Sequence, residues 1–319
     1  MRAPRVQPGS DGLEKPMDGE RAANVSVRVG GQAVLEGVMM RAGQRACVAV
    51  RRPDGEIDTR MLDVPGWAHR AESIPFVRGL AGLGESLVVG VEALRWSEGA
   101  AGFRPSDRTP APKWLLVSIA LVAVVVLIVV LPTGLAGLVA GGTAWFAAVE
   151  AAARITVLGT YVALVGRRRD VRRVFEYHGA EHLVVSGYED RKVLRPDQLR
   201  GGSIHHPRCG TSFLLVVAAI AAVVHPFLPH GSLVLQLAGR ILAVPLIVAV
   251  SYEVLTALGR VAALRPGSRL DRILVWPQRF TTRRPDDAQV EVAIAALQGA
   301  LGPVSVVPTG PGVLAASRS

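Results

Sequence analysis

The sequence of 319 residues is poor in cysteine, in aromatic residues and in charge. Its two cysteines, Cys47 and Cys209, form no C-x-x-C pair, so we expect two free thiols rather than a disulfide-stabilised fold. Aromatic residues make up only 5% of the chain, and neither an RNP-like aromatic box nor zinc-finger spacing occurs. Because stacking on bases needs such residues, no nucleic-acid partner is expected.

Charge is scarce mainly in one part of the chain. Charged residues make up 19% of the sequence, against about a quarter in soluble domains. The region between Trp114 and Glu253 has the fewest charged residues for its length. Apolar residues make up 50% of the whole chain. The 36 basic residues exceed the 26 acidic ones, which gives a net charge of +10 that is carried almost entirely by arginine. Basic loops on the cytoplasmic side of a bilayer account for this excess.

Four apolar segments are long enough to cross a bilayer, which takes about 20 residues each. They cover residues 114–131, 143–165, 211–228 and 232–252. The connection between the second and third segments, residues 166–210, holds ten Lys or Arg against six Asp or Glu. The positive-inside rule therefore places this loop and both termini in the cytoplasm. The predicted fold is mainly α, a multi-pass protein of the cell inner membrane with about four transmembrane helices and a small cytoplasmic α+β part.

The expected organisation follows the composition along the chain. It consists of a disordered tail (1–22), a cytoplasmic α+β segment (23–112), a four-helix transmembrane region (113–253), a cytoplasmic C-terminal segment (254–301) and a second disordered tail (302–319). In the α+β segment, two alternating runs flank Pro53-Asp54-Gly55, which predicts a β-hairpin. Residues 74–94 have the apolar spacing of an amphipathic helix, expected to lie on the membrane surface or to pack against the bundle.

Three charged residues interrupt the predicted spans: Glu150, Arg154 and Arg240. Because Glu150 and Arg154 are four residues apart, they share one face of a helix and can neutralise each other. Charges at this depth are costly, so they either join helices as an ion pair or mark a polar path through the membrane.

The most specific local signal is the sequence YHGAEH at residues 177–182. On a helix, His178 and His182 are four residues apart and present their imidazoles to the same side. Glu181 lies beside them, where it can orient a water molecule or take its proton. H-x-x-E-H is the inverted form of the zinc-peptidase signature, so the pattern predicts metal ligands with a neighbouring general base.

A metal site needs three or four ligands, and the same loop offers more of them. His206 and Cys209 stand three residues apart just before the third predicted span, and Glu253 is a carboxylate at the same depth. Imidazole and thiolate ligands favour zinc among the divalent metals. The other interpretation is that these are surface histidines and a packed cysteine.

Two further motifs contain candidate site residues. GGQAVLEGVMMR at residues 30–41 contains Gln32 and Glu36; its glycines suit a tight turn, and Glu36 requires a partner, either Arg41 or a cation. WPQRFTTR at residues 276–283 contains Arg279 and is typical either of a docking loop or of an ordered lid.

These motifs resemble the YqhQ-like family of bacterial multi-pass membrane proteins, a domain of unknown function described as a predicted metal-dependent enzyme. The resemblance rests on GGQAVLEGVMMR from Gly30, RRVFEYHGAEH from Arg172, HPRCGTSF from His206 and QRFTTRRPDD from Gln278. It covers almost the whole chain apart from the two tails. It implies a membrane protein whose motifs lie on one face, and it implies no particular reaction.

Three functions are compatible with the sequence. The first is a metal-dependent hydrolase at the cytoplasmic membrane surface that acts on a membrane-associated peptide or lipid-linked group. In it, His178, His182 and either Cys209 or His206 bind zinc, and Glu181 is the general base. The second is a non-catalytic scaffold or docking protein with a structural metal. The third is a transporter, which only the charges within the spans support.

Overall fold

The computed structural model describes residues 27–102, 122, 126–141, 145–228, 232–264 and 267–302. The N-terminal tail predicted at 1–22 and all but one residue of the tail predicted at 302–319 lie outside the described residues. Most of the first predicted span, 114–131, also lies outside them. The described part is mainly helical and contains one small antiparallel sheet.

The sheet is a four-stranded meander. Its strands are β1 (Val29–Val34), β2 (Gly37–Ala42), β3 (Arg45–Arg51) and β4 (Ile57–Leu62), each antiparallel to the next in the order β1-β2-β3-β4. The hairpin predicted around Pro53-Asp54-Gly55 is present as β3 and β4. The glycine-rich motif at 30–41 forms a second hairpin, β1 and β2, whose turn contains Glu36 with a φ of 50°.

Ten α-helices occur in the described residues. They are α1 (Trp67–Arg70), α2 (Val77–Ala100), α3 (Leu131–Ala140), α4 (Phe146–Val165), α5 (Arg169–Glu189), α6 (Pro196–Leu199), α7 (Gly210–Val224), α8 (Leu233–Leu264), α9 (Arg269–Val275) and α10 (Asp287–Leu301). Helix α10 begins with a capping box, in which the Asp286 side chain accepts from Gln289 N–H and the Gln289 side chain accepts from Asp286 N–H.

The sheet lies between two helical layers because its apolar residues point to both faces. Val38 and Met40 pack with residues of α5 and α10 on one face. Met39 and Val48 pack against α2 on the other face. This period-two alternation fixes which strand residues meet which helix. It places α5, which carries the YHGAEH motif, beside β1.

Three helical segments in the described part are long and apolar enough to cross a membrane: Phe146–Val165, Gly210–Phe227 and Val234–Ala262. The sequence predicted four such segments, so the count there is lower than expected. The first predicted span, 114–131, lies largely outside the described residues, and the short apolar helix α3 that begins at its end has only 10 residues. Helix α8 also extends beyond the predicted span of 232–252 and continues without a break to Leu264.

The charges predicted within the spans form one buried cluster, which we call the Glu150 cluster. The Glu150 carboxylate accepts hydrogen bonds from Thr133 Oγ1 at 2.8 Å, from Arg154 at 2.9 Å and from Arg240 Nε at 3.1 Å. His225 Nδ1 lies 3.6 Å from the same carboxylate. The cluster joins α3, α4, α8 and the turn after α7, which supports the interpretation as an ion pair that holds helices together.

Candidate metal centre

Three predicted ligands come together where α5 meets the start of α7. The rings of His178 and His182, one turn apart on α5, have their centroids 4.5 Å apart. Cys209, the N-cap of α7, places its Sγ 3.3 Å from Nε2 of His178. One ligand atom from each of the three residues lies within 4.8 Å of the other two. We call this group the His-His-Cys triad.

Backbone carbonyls orient both imidazoles of the triad. Nδ1 of His178 lies 2.9 Å from the carbonyl oxygen of Thr281, and Nδ1 of His182 lies 2.7 Å from that of Ile204. Because a carbonyl can only accept, Nδ1 of each ring carries the proton. The Nε2 atoms therefore keep their lone pairs, which is the arrangement that second-shell carbonyls impose on metal-binding histidines.

Gln278 holds the loop that carries Cys209. Its fully buried amide donates to the His206 carbonyl at 2.7 Å and to Ser212 Oγ at 3.0 Å, and it accepts from His206 N–H at 2.9 Å. Gln278 belongs to the WPQRFTTR motif, in which nothing local indicates this role. Its partners lie 66 and 72 residues away along the chain, so no local pattern could have identified them.

Gly179 lets the backbone segment that contains Thr281 approach α5. A Cβ at this position would overlap the carbonyl oxygen of Arg283. The N–H of Arg283 also donates to the carbonyl of Phe175, one turn earlier on α5, at 2.9 Å. A glycine that weakens the helix is thus required for the close approach that brings the Thr281 carbonyl to His178.

His206, the fourth predicted ligand, lies beside the triad but does not belong to it. Its Nε2 is 3.2 Å from a Glu189 carboxylate oxygen, and its Nδ1 accepts from the Arg208 N–H at 3.3 Å. Both ring nitrogens are therefore engaged. Burial raises the pKa of Glu189, but hydrogen bonds from His206 and the charge of Arg208 outweigh it and leave the pKa below its usual value.

Glu181, the predicted general base, is buried and is not a ligand in this arrangement. Its side chain packs against Gly31 of β1, where a Cβ would come within 3.2 Å of Glu181 Cγ. Within the described part of the chain, no hydrogen bond or ion pair engages its carboxylate. Glu181 lines the same cavity as the triad, so it is available for proton transfer there.

The cavity next to the triad has a volume of about 720 Å³. Its wall combines the start of the sheet, α5, the loop before α7 and Tyr252 of α8. Gln32 of β1 lines it and donates from Nε2 to the Gly90 carbonyl at 3.3 Å. The cavity therefore lies between the sheet, the start of α7 and the second half of α8.

Glu36 has a partner other than those predicted. Its carboxylate accepts from the guanidinium of Arg173 on α5, so it joins the first hairpin to the helix that carries the triad. Arg41, one predicted partner, instead pairs with the buried carboxylate of Glu85 on α2. Burial raises the pKa of Glu85, but the hydrogen bonds from Arg41 and Ala68 N–H outweigh it and hold the pKa below its usual value.

The two remaining candidates do not reach the triad. Glu253 of α8 accepts from Arg78 Nε at 2.9 Å and from Phe76 N–H at 3.0 Å. Arg279 is exposed and does not line the cavity. Neither side chain belongs to the group that could hold an ion.

The sequence comparisons identify a family. The family described as Protein of unknown function (DUF1385) matches residues 74–303. The chain belongs to this family. It is also 30% identical over 285 residues to Uncharacterized protein YqhQ of Bacillus subtilis (strain 168), which covers 83% of this chain and 89% of the relative. No solved structure gives a significant match. The resemblance predicted from the motifs is thus confirmed, and membership of the family assigns no activity.

The triad is compatible with a small ion. On a tetrahedral ion with bonds of about 2.0–2.3 Å, ligand atoms lie about 3.3–3.8 Å apart. The separation of 3.3 Å between Cys209 Sγ and His178 Nε2 falls at this value. The outer limit of 4.8 Å for the group requires a side-chain movement of about 1 Å. Two imidazoles and one thiolate leave a fourth position open.

Proposed function

We propose that this chain is a multi-pass protein of the cell membrane with a zinc-dependent hydrolase site at the cytoplasmic ends of its spans. The observation that carries the proposal is the His-His-Cys triad, in which the lone pairs converge and both imidazole protons are held on the far side of the rings. The membrane part is supported by the three apolar helices and by the arginine-rich segment after α4.

The chemistry of the donor set favours zinc over other divalent ions. Zinc binds imidazole nitrogen and thiolate sulfur, and catalytic sites combine three protein ligands with one open position. A zinc ion held there would supply an activated water near neutral pH. His178, His182 and Cys209 would hold the ion, and the carbonyls of Thr281 and Ile204 keep the two rings in the orientation that binding needs.

Glu181 supplies the second requirement of hydrolysis. Its carboxylate lines the cavity without a partner in the described residues, so it can accept a proton from an attacking water and return it to the leaving group. This role separates the proposal from a purely structural metal site, which needs no proton acceptor in the cavity.

The position of the cavity favours a substrate held in or at the membrane. Its wall includes Tyr252 of α8 and Gly210 and Thr211 at the start of α7, both in segments apolar enough to cross a bilayer. A membrane-associated peptide or a lipid-linked group would reach the triad from this side without leaving the bilayer surface.

Metal analysis tests the site. Purified wild-type protein loaded with zinc and passed through a desalting column is expected to retain about one ion per chain by mass spectrometry. His178→Ala and Cys209→Ser are expected to lose it. The matched controls His205→Ala and Cys47→Ser should retain it, since neither residue belongs to the triad. A wild type without zinc, or triad variants that keep it, would contradict the proposal.

A second experiment tests the reaction. Membranes from cells that produce the wild type, Glu181→Gln or His178→Ala are compared by lipid and peptide profiling. We expect the same compounds to accumulate with both variants, while Glu181→Gln still binds zinc. If Glu181→Gln leaves the profile of the wild type unchanged, Glu181 is not a catalytic base and the hydrolase proposal fails.

A docking protein with a structural metal is the second candidate. Trp276 and Phe280, in the turn after α9, are 48% and 46% exposed, and their ring centroids lie 5.5 Å apart. Exposed aromatic pairs are typical of partner interfaces. If the chain is a docking protein, Trp276→Ala should change which proteins co-purify with it, whereas Glu181→Gln should have no effect on cells.

A further inference from the structure

Helix α2 has its apolar side chains on the outside. The residues that it buries are mostly small or polar: Gly79, Glu85, Val89, Gly90, Ala93 and Ser97. Seven large apolar residues are 39–66% exposed along the opposite side: Val77, Leu80, Leu83, Leu87, Val88, Val91 and Leu94. We call these seven residues the α2 stripe. A helix that faced only water would not carry a continuous stripe of this kind.

The turn before α2 adds further exposed apolar residues. Trp67, Ile74 and Phe76 are 44%, 49% and 52% exposed. Phe76 has a φ of 66°, a conformation that bulky residues rarely adopt. Its N–H donates to Glu253 at 3.0 Å, a contact that helps to hold the turn.

Contacts near Glu253 hold the start of α2 against α8. Arg78 forms two hydrogen bonds to the Glu253 carboxylate, at 2.9 and 2.5 Å. A Cβ at Gly79 would come within 2.7 Å of Tyr252, so the two helices are in close contact there. Helix α8 carries no charged side chain between Arg240 and Glu253, and Arg260 follows one to two turns later. Because charges return at Glu253, we expect the lipid-embedded part of α8 to end near this contact.

The charges near this level suit an anionic lipid surface. Arg167 and Arg168 follow α4 directly, Arg169 begins α5, and Arg260 lies in the last part of α8. Phosphatidylglycerol and similar lipids attract such residues at the cytoplasmic leaflet. The same level also contains the cavity, since Ser86 of α2 and Tyr252 of α8 both line it.

We propose that Trp67, Ile74, Phe76 and the α2 stripe form one lipid-contacting surface, which lies in the headgroup region of the leaflet next to the cavity. The proposal rests on the membrane part of the proposed function and names lipid as the occupant of the stripe. It implies that α2 lies along the bilayer surface and holds the opening of the cavity against the leaflet from which the substrate comes.

Spin labels on introduced cysteines test the depth of this surface. Both native cysteines are buried, so labels are placed by Phe76→Cys, Leu80→Cys, Leu87→Cys and Leu94→Cys. Leu242→Cys, at a residue of α8 that is 79% exposed, reports on the span. Glu291→Cys on α10, on the opposite side of the sheet from α2, reports on water. The signal of wild-type protein treated with the same label is subtracted.

The variants are placed in vesicles of phosphatidylcholine and phosphatidylglycerol, and collisions with oxygen and with a water-soluble nickel chelate are measured. We expect the labels at positions 76, 80, 87 and 94, which we call the α2 labels, to collide several-fold more often with oxygen than with nickel. Leu242→Cys should behave in the same way, and Glu291→Cys should show the reverse. Similar values at positions 80 and 94 would show that the helix lies parallel to the surface. Each variant is first checked for a wild-type melting temperature.

The other outcomes separate the two proposals. If Leu242→Cys favours oxygen while the α2 labels favour nickel, the lipid surface is wrong and the membrane spans stand. If Leu242→Cys also favours nickel, the membrane proposal itself fails. Immobile α2 labels with dipolar coupling between copies would identify a second copy of the chain as the occupant. Immobile labels without such coupling would identify another segment of the same chain, and either result overturns the lipid surface.

Discussion

Two buried polar clusters in the described part of the chain, the Glu150 cluster and the His-His-Cys triad, differ in the kind of hydrogen bonds that they make. In the Glu150 cluster, a carboxylate accepts from a threonine and two arginines, so acceptors and donors are matched. In the His-His-Cys triad, possible ligand atoms of three side chains lie together, both imidazoles donate to carbonyls outside the group, and the Cys209 thiol can donate to Nε2 of His178. The first cluster is complete without a ligand. In the second, a metal ion can take the place of the thiol proton.

This difference shows which polar residues in an apolar region mark a function. From the sequence alone, the YHGAEH motif and the three charges within the spans, Glu150, Arg154 and Arg240, are both plausible functional sites. The charges of the partners separate the two, because arginines neutralise the carboxylate in the first cluster, whereas the second offers imidazoles and a thiol that a metal ion can bind. We therefore expect the first cluster to stabilise the fold and the second to bind an ion.

The largest effect is expected from the first cluster. Glu150→Gln leaves Arg154 and Arg240 buried without their carboxylate and should lower the free energy of unfolding by about 3 to 5 kcal/mol. Zinc binding should persist under native conditions. Denaturant unfolding in detergent measures the loss, with Glu98→Gln on the exposed side of α2 as the control. A loss below about 1 kcal/mol, the range of a surface pair, would mean that the cluster is not a structural element.

The second cluster should stabilise the protein only when zinc is present. At a free concentration 100 times the dissociation constant, a bound ion adds about 2.7 kcal/mol. The wild type and Glu150→Gln should both gain this stability on addition of zinc, whereas Cys209→Ser should not. The melting temperature with and without zinc measures it. An equal gain in Cys209→Ser would place the ion elsewhere.

Gln278 is expected to affect the second cluster alone and more weakly. Gln278→Leu removes the amide that fixes the loop before Cys209, and second-shell changes of this kind weaken metal binding about 10-fold to 100-fold. Competition with a zinc chelator measures the change. Gln198→Leu, at an exposed position of α6, serves as the control and should bind zinc as the wild type does. Unchanged affinity in Gln278→Leu would show that the loop is held by other contacts.

The smallest effect concerns Glu189 and His206, next to the triad. Because the folded protein holds the pKa of Glu189 below its usual value, its ionised form stabilises the fold above about pH 4.5, and this contribution is lost as the pH falls. The wild type should exceed Glu189→Gln by less than about 1 kcal/mol at pH 7, since the site is partly exposed. The difference should disappear in acid. A difference that grows in acid would contradict the assignment.

Local patterns predicted much of the fold. The hairpin around Pro53-Asp54-Gly55, the helix predicted at 74–94 and the helix that carries His178 and His182 follow from turn residues and helical spacing, which involve neighbours in the sequence. The first hairpin was missed because its turn lacks the Asn-Gly or Asp-Gly pair that usually marks one and uses Glu36 with positive φ instead.

The candidate site was harder to predict because its contacts are distant in sequence. Spacing alone could not show that His206 engages Glu189 instead of the triad, or that Glu36 pairs with Arg173, 137 residues away. Three of the four predicted spans have counterparts among the described residues, and the first lies largely outside them. An apolar run shows that a segment can cross a bilayer, but it does not show where a helix starts, as the difference between 143 and Phe146 illustrates.

The packing of α10 on the sheet has a consequence for biosynthesis. Strands β2 and β3 leave the ribosome early, but the helix that covers Val38, Met40 and Ala49 begins only at Asp287. At about 5 to 20 residues per second, this delay is roughly 12 to 50 s. Until then, α5 can cover part of this face, but the part that α10 covers stays exposed, and Thr281, whose carbonyl orients His178, has not yet been made. We therefore expect the proposed ion to be bound firmly only late in translation, when the last tenth of the polypeptide closes the domain.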